Sequence, residues 1–344
     1  MSRSLKLSWI PSMIVVVGLM VFSSCKDDEK PKSKMSFAET EIEALEDDGK
    51  IQVKINFDRA VAENVVLSYT LGGTATEFKA QTGGDYEISP AGGTITIAPG
   101  ATEAIIEITL LPDQSFEYDD AAGVSYETVI LTLTSVVSGP AEIVAGEGTQ
   151  ATLYIYEDDM LVFLNWEGTD VDMDLLVWLD DPNDNPDQGL LFVSPAQVGG
   201  GVTEGTESPE AVLLLSQLID TDYGFSYVYY DGTADPLNFS VDFLNFGGML
   251  NGGEGQLSFD GTYQLDNINK WDEEGAPAPA IAQTVTKSGR NYTNLTDITI
   301  PDTGSRIRTM FGNFGNANKV ELRKHPGVQK ITLTRDLVEK LRRR

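Results

Sequence analysis

Short runs in which every second residue is apolar, cut by glycine pairs, constrain the fold of this chain more than any other feature. From Lys50 to Phe57, the residues Ile51, Val53, Ile55 and Phe57 share one face of an extended backbone, because successive side chains on a strand point to opposite sides. The period returns at residues 94–97 and 104–110, and residues 128–133 and 151–156 complete the set. Gly72-Gly73, Gly83-Gly84, Gly92-Gly93 and Pro99-Gly100 punctuate these runs as turns. About seven short strands separated by turn signals predict a β-sandwich of the immunoglobulin type over residues 35–159.

A second set of strand-like runs follows at residues 161–166, 171–179, 211–219, 224–230, 237–246, 256–265, 281–287 and 295–300. These predict a second β-sandwich over residues 160–304, with a hairpin turn at Asp231-Gly232 and Asp235-Pro236. The expected fold class is all-β, two tandem sandwiches. Between them lies the acidic run Glu157-Asp158-Asp159, a hinge. The chain has 344 residues, enough for two domains that each bury a core.

Charge is distributed unevenly. Residues 35–304 hold 47 acidic side chains against 7 basic ones, and none of those 7 lies between Gln81 and Asn269. Residues 305–344 reverse the sign, with 11 basic and 3 acidic. So acidic a body is repelled by nucleic acid and by anionic lipid, which argues against both as ligands. It also repels itself: two carboxylates about 5 Å apart cost about 3 kcal/mol at an effective dielectric near 20. Divalent cations relieve that repulsion, although many of the acids serve only as a solvated surface. The single histidine, His325, lies in the basic tail, and the single cysteine is Cys25. That inventory argues against nucleophilic triads and zinc sites, and no pair of carboxylates stands out as catalytic. The expectation is a protein that is not an enzyme.

Residues 1–24 read as an export signal: Arg3 and Lys6, an apolar run from Ile10 to Phe22, then Ser23-Ser24. Cys25 after this run resembles the lipobox cysteine of bacterial lipoproteins, whose thiol carries the lipid. Lys26-Asp27-Asp28-Glu29 resembles the tag that follows the lipidated cysteine in surface-exposed lipoproteins of the Bacteroidetes group. These resemblances imply a signal peptide over residues 1–24, a lipidated tether over residues 25–34, and an outer-membrane location facing the exterior.

The first sandwich resembles the Calx-beta domain. The resemblance is carried by Glu46 before Gly49, by VVLSYTLGGTA from Val65, by Asp85-Tyr86, by ITIAPGATEAIIEITLLPD from Ile95, and by the closing ATLYIYEDD. It implies calcium at one end of the sandwich, held by Glu46, Asp85, Asp113, Glu117, Glu157, Asp158 and Asp159. Calcium takes six to eight oxygen ligands, and carboxylates suit it. The run WEGTDVDMDLLVWLDDP with YGFSYVYYDG resembles, more loosely, a jelly-roll-like sandwich of bacterial secreted proteins.

Several further residues carry chemistry. Asp170, Asp172 and Asp174 alternate along a strand, so their carboxylates fall about 7 Å apart on one face. They are either a second metal site or a solvated strand end capped by loop N–H groups. Asp181, Asn183, Asn185 and Asp187 have the odd spacing of a calcium loop, with Pro186 at a position such loops give to glycine. Tyr223, Phe225, Tyr227 and Tyr229 share a face, matched by Phe239, Val241 and Phe243, and two such stripes predict core. Trp166, Trp178 and Trp271 are candidates for carbohydrate contact, and Trp166, at the end of an apolar strand, reads as packing. Trp271, in Lys270-Trp271-Asp272-Glu273-Glu274, is the candidate ligand contact. The basic tail predicts a C-terminal helix over residues 336–344. The expected role is calcium-stabilised adhesion or ligand binding at the cell surface, with a glycan-binding or glycan-degrading accessory role and a structural spacer as alternatives.

Overall fold

The computed structural model describes residues 31–112, 116, 126–146, 148–168, 170–179, 190–193, 209–253, 255–264, 280–300, 328–331 and 335–341. The strands of the first sandwich are β1 (Ser33–Phe37), β2 (Glu41–Leu45), β3 (Lys50–Phe57), β4 (Val65–Gly73), β5 (Tyr86–Ser89), β6 (Thr94–Ile97), β7 (Glu103–Leu110), β8 (Tyr126–Ser138), β9 (Ala141–Ile143) and β10 (Gln150–Tyr156). They form two five-stranded sheets, β5-β7-β3-β1-β9 and β2-β10-β8-β4-β6. The alternating residues meet between the sheets. Val53 and Ile55 with Ile106 and Ile108 come from one side, and Leu67, Val129, Leu131 and Leu153 from the other. Burial of such side chains stabilises the fold by about 1.5–3 kcal/mol each.

Most pairings here are antiparallel, and two are parallel. β1 pairs with β9, and β2 pairs with β10 from Glu41↔Thr152 to Leu45↔Tyr156. The chain therefore changes sheets between Phe37 and Glu41, and the strand that closes the domain runs beside one of its first. This parallel pair decides the geometry at the hinge.

The second sandwich holds β11 (Met160–Trp166), β12 (Val171–Leu179), β13 (Leu190–Val193), β14 (Glu210–Leu214), β15 (Asp222–Gly232), β16 (Leu237–Asn245), β17 (Gln256–Tyr263), β18 (Ala280–Ser288), β19 (Asn291–Ile300) and β20 (Val328–Ile331). Its sheets are β17-β16-β11-β14-β20 and β13-β12-β15-β18-β19. The expected hairpin between β15 and β16 does not form. β15 pairs with β12 and β18, whereas β16 pairs with β11 and β17, so residues 233–236 cross from one sheet to the other. The physical reason lies in the aromatic stripes. Both are too apolar to stand side by side on one sheet with their shared face uncovered, and the crossing lets each cover the other. Phe225 meets Phe243 edge-on with centroids 5.2 Å apart, and Tyr227 lies 5.9 Å from Phe239. Tyr223, Phe225 and Tyr227 are fully buried and Tyr229 nearly so, which makes the stripe core. Trp166 is also core, and its indole N–H donates to the Val171 carbonyl at 3.1 Å.

The run expected over residues 211–219 stops as a strand at Leu214, and Leu215 turns back through a Leu218 N–H bond to its carbonyl. β14 and β11 are apolar on both sides. Val212, Leu214, Met160, Val162 and Leu164 face the sandwich core, while Ala211, Leu213, Leu161 and Phe163 join a second cluster on the outer face. The basic tail supplies the cover. β20 pairs antiparallel with β14, and the helix α1 (Arg335–Leu341) buries Val338 and Leu341 in that outer cluster. The tail thus extends the second sandwich, and its helix starts one residue before the predicted span.

Replacing Phe243, whose ring is fully buried against Phe225, by alanine is expected to cost about 3–5 kcal/mol. The change Val137→Ala, at a side chain 61% exposed, should stay within about 0.5 kcal/mol. Denaturant unfolding of the two variants checks the contrast.

Candidate metal centre

The hinge follows from where two strands end. β10 stops at Tyr156 and β11 starts at Met160, so Glu157, Asp158 and Asp159 are the chain segment between the sandwiches. Parallel pairing sets Leu45 opposite Tyr156, so the next residue on each strand, Glu46 and Glu157, leaves the sheet at the same level. Glu46 opens a single 3-10 turn, Glu46–Asp48, whose Asp48 carboxylate accepts the Leu45 N–H at 2.8 Å. This turn holds the first acidic run against the second.

Glu46, Glu157 and Asp158 each place a carboxylate oxygen within 4.8 Å of the other two. Glu157 is 1% exposed, Asp158 2% and Asp159 4%, so three consecutive acids are withdrawn from water. Burial of ionised carboxylates is costly unless donors or cations surround them. The Asp47 N–H donates to Asp158 Oδ2 at 3.2 Å, and the Ser216 N–H donates to Asp159 Oδ1 at 2.7 Å. Even so, burial, reinforced by the Asp47 carboxylate beside it, pushes the Asp158 carboxyl up to about 6. Carboxylates crowd the middle of the centre.

At its rim, positive charge comes from the second sandwich. The guanidinium of Arg290, in the turn between β18 and β19, pairs with Asp47 and donates to Asp48 at 2.8 Å. Burial works against ionisation of Asp48, but the Leu45 N–H and Arg290 outweigh it and hold its carboxyl below the usual range. Three further contacts close the joint. The Phe246 N–H donates to the Asp159 carbonyl at 3.0 Å, the Phe246 ring lies 5.4 Å from Phe116, and Gly247 packs on the Asp158 backbone. A β-carbon at residue 247 would come 2.5 Å from the Asp158 carbonyl oxygen, so only glycine fits there.

Of the seven residues implied by resemblance, three come together. Asp159 belongs to the same buried run, but its side chain turns to Ser216 in the second sandwich. Asp85 lies at the same end of the first sandwich, where its carbonyl accepts from Leu111. Its carboxylate is engaged by Thr76, at 2.6 Å from the amide and 3.0 Å from the hydroxyl. Asp113 and Glu117 lie outside the described residues, as do Cys25, Trp271 and residues 181–187.

The alternating acids of β12 do not gather. Asp170 is exposed and accepts from the Thr233 hydroxyl, Asp172 is half-buried opposite Asp231, and Asp174 is buried. A bulge in the pairing with β15 between Asp172 and Met173 breaks the even row. Beside them Glu210 on β14, buried itself, accepts the Leu175 N–H at 2.9 Å.

Sequence reasoning passed over Asp47, Asp48, Ser216, Gly247 and Arg290. A signal for Arg290 was present: Lys287 and Arg290 are two of only seven cations in a body of 47 acids. Such scarce cations are drawn to the densest carboxylates. Lys287, 3% exposed, donates to the Gly289 carbonyl at 2.6 Å and lies 3.5 Å from Asp220. No sequence signal marks Ser216, which contributes a backbone amide.

Residues 27–159 match the family model of the Calx-beta domain. No curated protein matches the chain in sequence. Among solved structures, the chain is similar to the apo-form Calx CBD1 domain, at 20% identity over 37% of this chain and 99% of that one, with a TM-score of 0.29. It is similar to CBD12 from CALX1.2 at 16% identity, covering 58% and 83% of the two chains with a TM-score of 0.29. A protein of unknown function from Bacteroides ovatus aligns at 12% identity over 78% and 99%, with a TM-score of 0.28. Superpositions this loose add nothing to the assignment, which rests on the family match and on the order of strands and motifs within it. The sandwich that ends in the acidic hinge is a Calx-beta domain.

Proposed function

We propose that this protein is a non-catalytic, calcium-binding surface lipoprotein, tethered to the outer membrane through lipid on Cys25, whose two sandwiches present a surface to a protein or glycan ligand. The observation that carries the calcium reading is the convergence of Glu46, Glu157 and Asp158 in a buried hinge. Hard oxygen donors of this density suit calcium, and their mutual repulsion gives a divalent ion a large differential affinity for the folded state. Glu46, Glu157 and Asp158 would hold the ion, which would offset the repulsion among the buried acids.

The ion has a structural consequence for the joint. It would bind the hinge to the Glu46 turn of the Calx-beta domain. Asp159, through Ser216 and Phe246, binds the same hinge to the second sandwich. Occupancy therefore stiffens the angle between the domains, which suits a surface module that must hold its binding face away from the membrane. The aromatic stripe on β15 is core, so a glycan reading rests on Trp271, and loss of saturable sugar binding in Trp271→Ala would favour it.

The direct test is the melting temperature of the soluble fragment from Lys26 onward, in chelator and then in rising calcium. Sites in extracellular modules bind at about 10⁻⁴–10⁻³ M. The expected rise saturates in that range and reaches about 5–10 °C at a hundredfold excess over Kd. No rise, or an equal rise with magnesium, overturns the calcium reading.

Asp158→Asn separates repulsion from ligation. Because folding raises the carboxyl above its unfolded value, ionised Asp158 destabilises the metal-free fold as pH rises from about 4 through about 6. At neutral pH the variant is expected to melt a few degrees higher without calcium, by up to about 2 kcal/mol, and to lose most of the calcium response. A variant that melts lower than wild type in chelator contradicts this. The double change Asp158→Ala with Asp159→Ala should weaken calcium at least about tenfold and broaden the distribution of interdomain distances in solution scattering. Unchanged calcium affinity there would sink the hinge site.

A further inference from the structure

Two buried oxygen atoms at the hinge end of the second sandwich, Asn245 Oδ1 and Tyr292 Oη, have no hydrogen-bond partner among the described residues. Asn245 is 5% exposed and Tyr292 2%. The other end of the Asn245 amide fixes its orientation. Its Nδ2 donates to the Met249 carbonyl at 3.1 Å and to the Arg290 carbonyl at 2.8 Å, which leaves Oδ1 as an acceptor turned away from both. The Tyr292 N–H donates to the same Met249 carbonyl at 3.0 Å, so the two residues are neighbours. A buried polar atom left unpaired costs about 1–3 kcal/mol. Two such atoms in one place point to a ligand.

The strand register brings Asn245 to the acidic hinge. Met160 pairs with Asn245, and the bond from the Phe246 N–H to the Asp159 carbonyl carries that register past the end of β11. Asp158 then falls opposite Gly247, whose backbone packs against it. Met160 and Phe243 point into the core while Phe246 joins the outer cluster, so alternation returns Asn245 and Asp158 to the inner face. They are diagonal neighbours there, about 7–8 Å apart at the backbone, and glycine at 247 puts no side chain between them. Tyr292 reaches the same place from the facing sheet. Burial, followed by the Tyr223 hydroxyl and the Asp159 and Asp158 carboxylates, pushes its own hydroxyl well above the usual tyrosine range, so it stays a neutral O–H beside the acids.

We propose that the second sandwich completes the hinge cation centre: Asn245 Oδ1 is a direct, uncharged ligand of the ion held by Glu46, Glu157 and Asp158, and Tyr292 Oη holds a water of its shell. The inference rests on the calcium reading above and adds the ligands that come from the other domain. Calcium takes six to eight oxygens and mixes carboxylates with amide and backbone carbonyls. Three carboxylates already outweigh the charge of a divalent ion, so an uncharged oxygen adds coordination without adding repulsion. A neutral tyrosine hydroxyl both donates and accepts, which suits it to an ion-bound water. One ion then touches both sandwiches, through Glu46 on the first and Asn245 on the second.

Three variants separate ligation from packing. Asn245→Leu removes both Oδ1 and the Nδ2 bonds, whereas Asn245→Asp removes the Nδ2 bonds and keeps an oxygen at the ligand position. Calorimetric titration of the purified protein with calcium should show Kd raised about tenfold or more in Asn245→Leu and within about threefold of wild type in Asn245→Asp. Tyr292→Phe should melt no lower than wild type in chelator, because the lost hydroxyl has no partner there, and should weaken calcium about threefold to tenfold. With europium as a luminescent stand-in for calcium, decay rates in ordinary and heavy water count the waters on the ion, and that count should rise by about one in Asn245→Leu. Unchanged affinity and hydration in Asn245→Leu overturn the ligand assignment and leave the hinge site standing. Equal losses in Asn245→Leu and Asn245→Asp overturn it in favour of a role confined to Nδ2. Absence of calcium binding in the wild type overturns the calcium reading and this inference together. If Asn245→Leu does not fold, loss of binding in Asn245→Asp or unchanged affinity in Tyr292→Phe overturns the proposal.

Discussion

Withdrawing three consecutive carboxylates from water is the constraint on which the joint of this molecule depends. Glu157, Asp158 and Asp159 are the stretch of chain that links the sandwiches, and all three are buried. A linker of this length could have been left solvated at no electrostatic cost. Here the acids are drawn to two different sides. Glu157 and Asp158 go to the Glu46 turn, and Asp159 to the Ser216 amide. The cost of burying the charges is offset only if the neighbours on both sides remain in place, so the electrostatics and the domain angle are one problem.

Arg290 shows how little positive charge is available to solve it. Its guanidinium engages Asp47 and Asp48 at the rim, with Asp158 behind them. That arrangement steadies the turn, while burial, reinforced by the Asp47 carboxylate, is why Asp158 resists ionisation.

The second sandwich depends on a different constraint, the apolar character of both faces of β11 and β14. A strand apolar on one side needs one partner layer, and a strand apolar on both needs two. The facing aromatic sheet supplies the first layer. The C-terminal helix supplies the second, joined by Phe116 from the Calx-beta domain and by Phe246. The same cluster thus touches the tail and the domain joint.

The residues by themselves determined the strands, because a two-residue period survives any change of neighbour. Ile51 to Phe57 and Tyr223 to Tyr229 are β-structure wherever they are placed, and their apolar faces had to be buried. They determined the acidic hinge, and through the motifs from Glu46 to Asp159 they determined the Calx-beta domain. What only the tertiary structure decided is which strands are neighbours and which acids meet. β15 and β16 read as a hairpin by their spacing, yet they face each other across a core because two aromatic stripes bury more surface that way. Glu46 reaches Glu157, 111 residues on in the sequence, through the parallel register of β2 and β10, while the Asp85 carboxylate, at the same end, is taken by Thr76. The alternation of Asp170, Asp172 and Asp174 was plain in the sequence and was undone by one bulge. Local pattern fixes an element because it acts over a few residues, whereas pairing register, sheet crossing and the fate of each carboxylate depend on competition among distant partners.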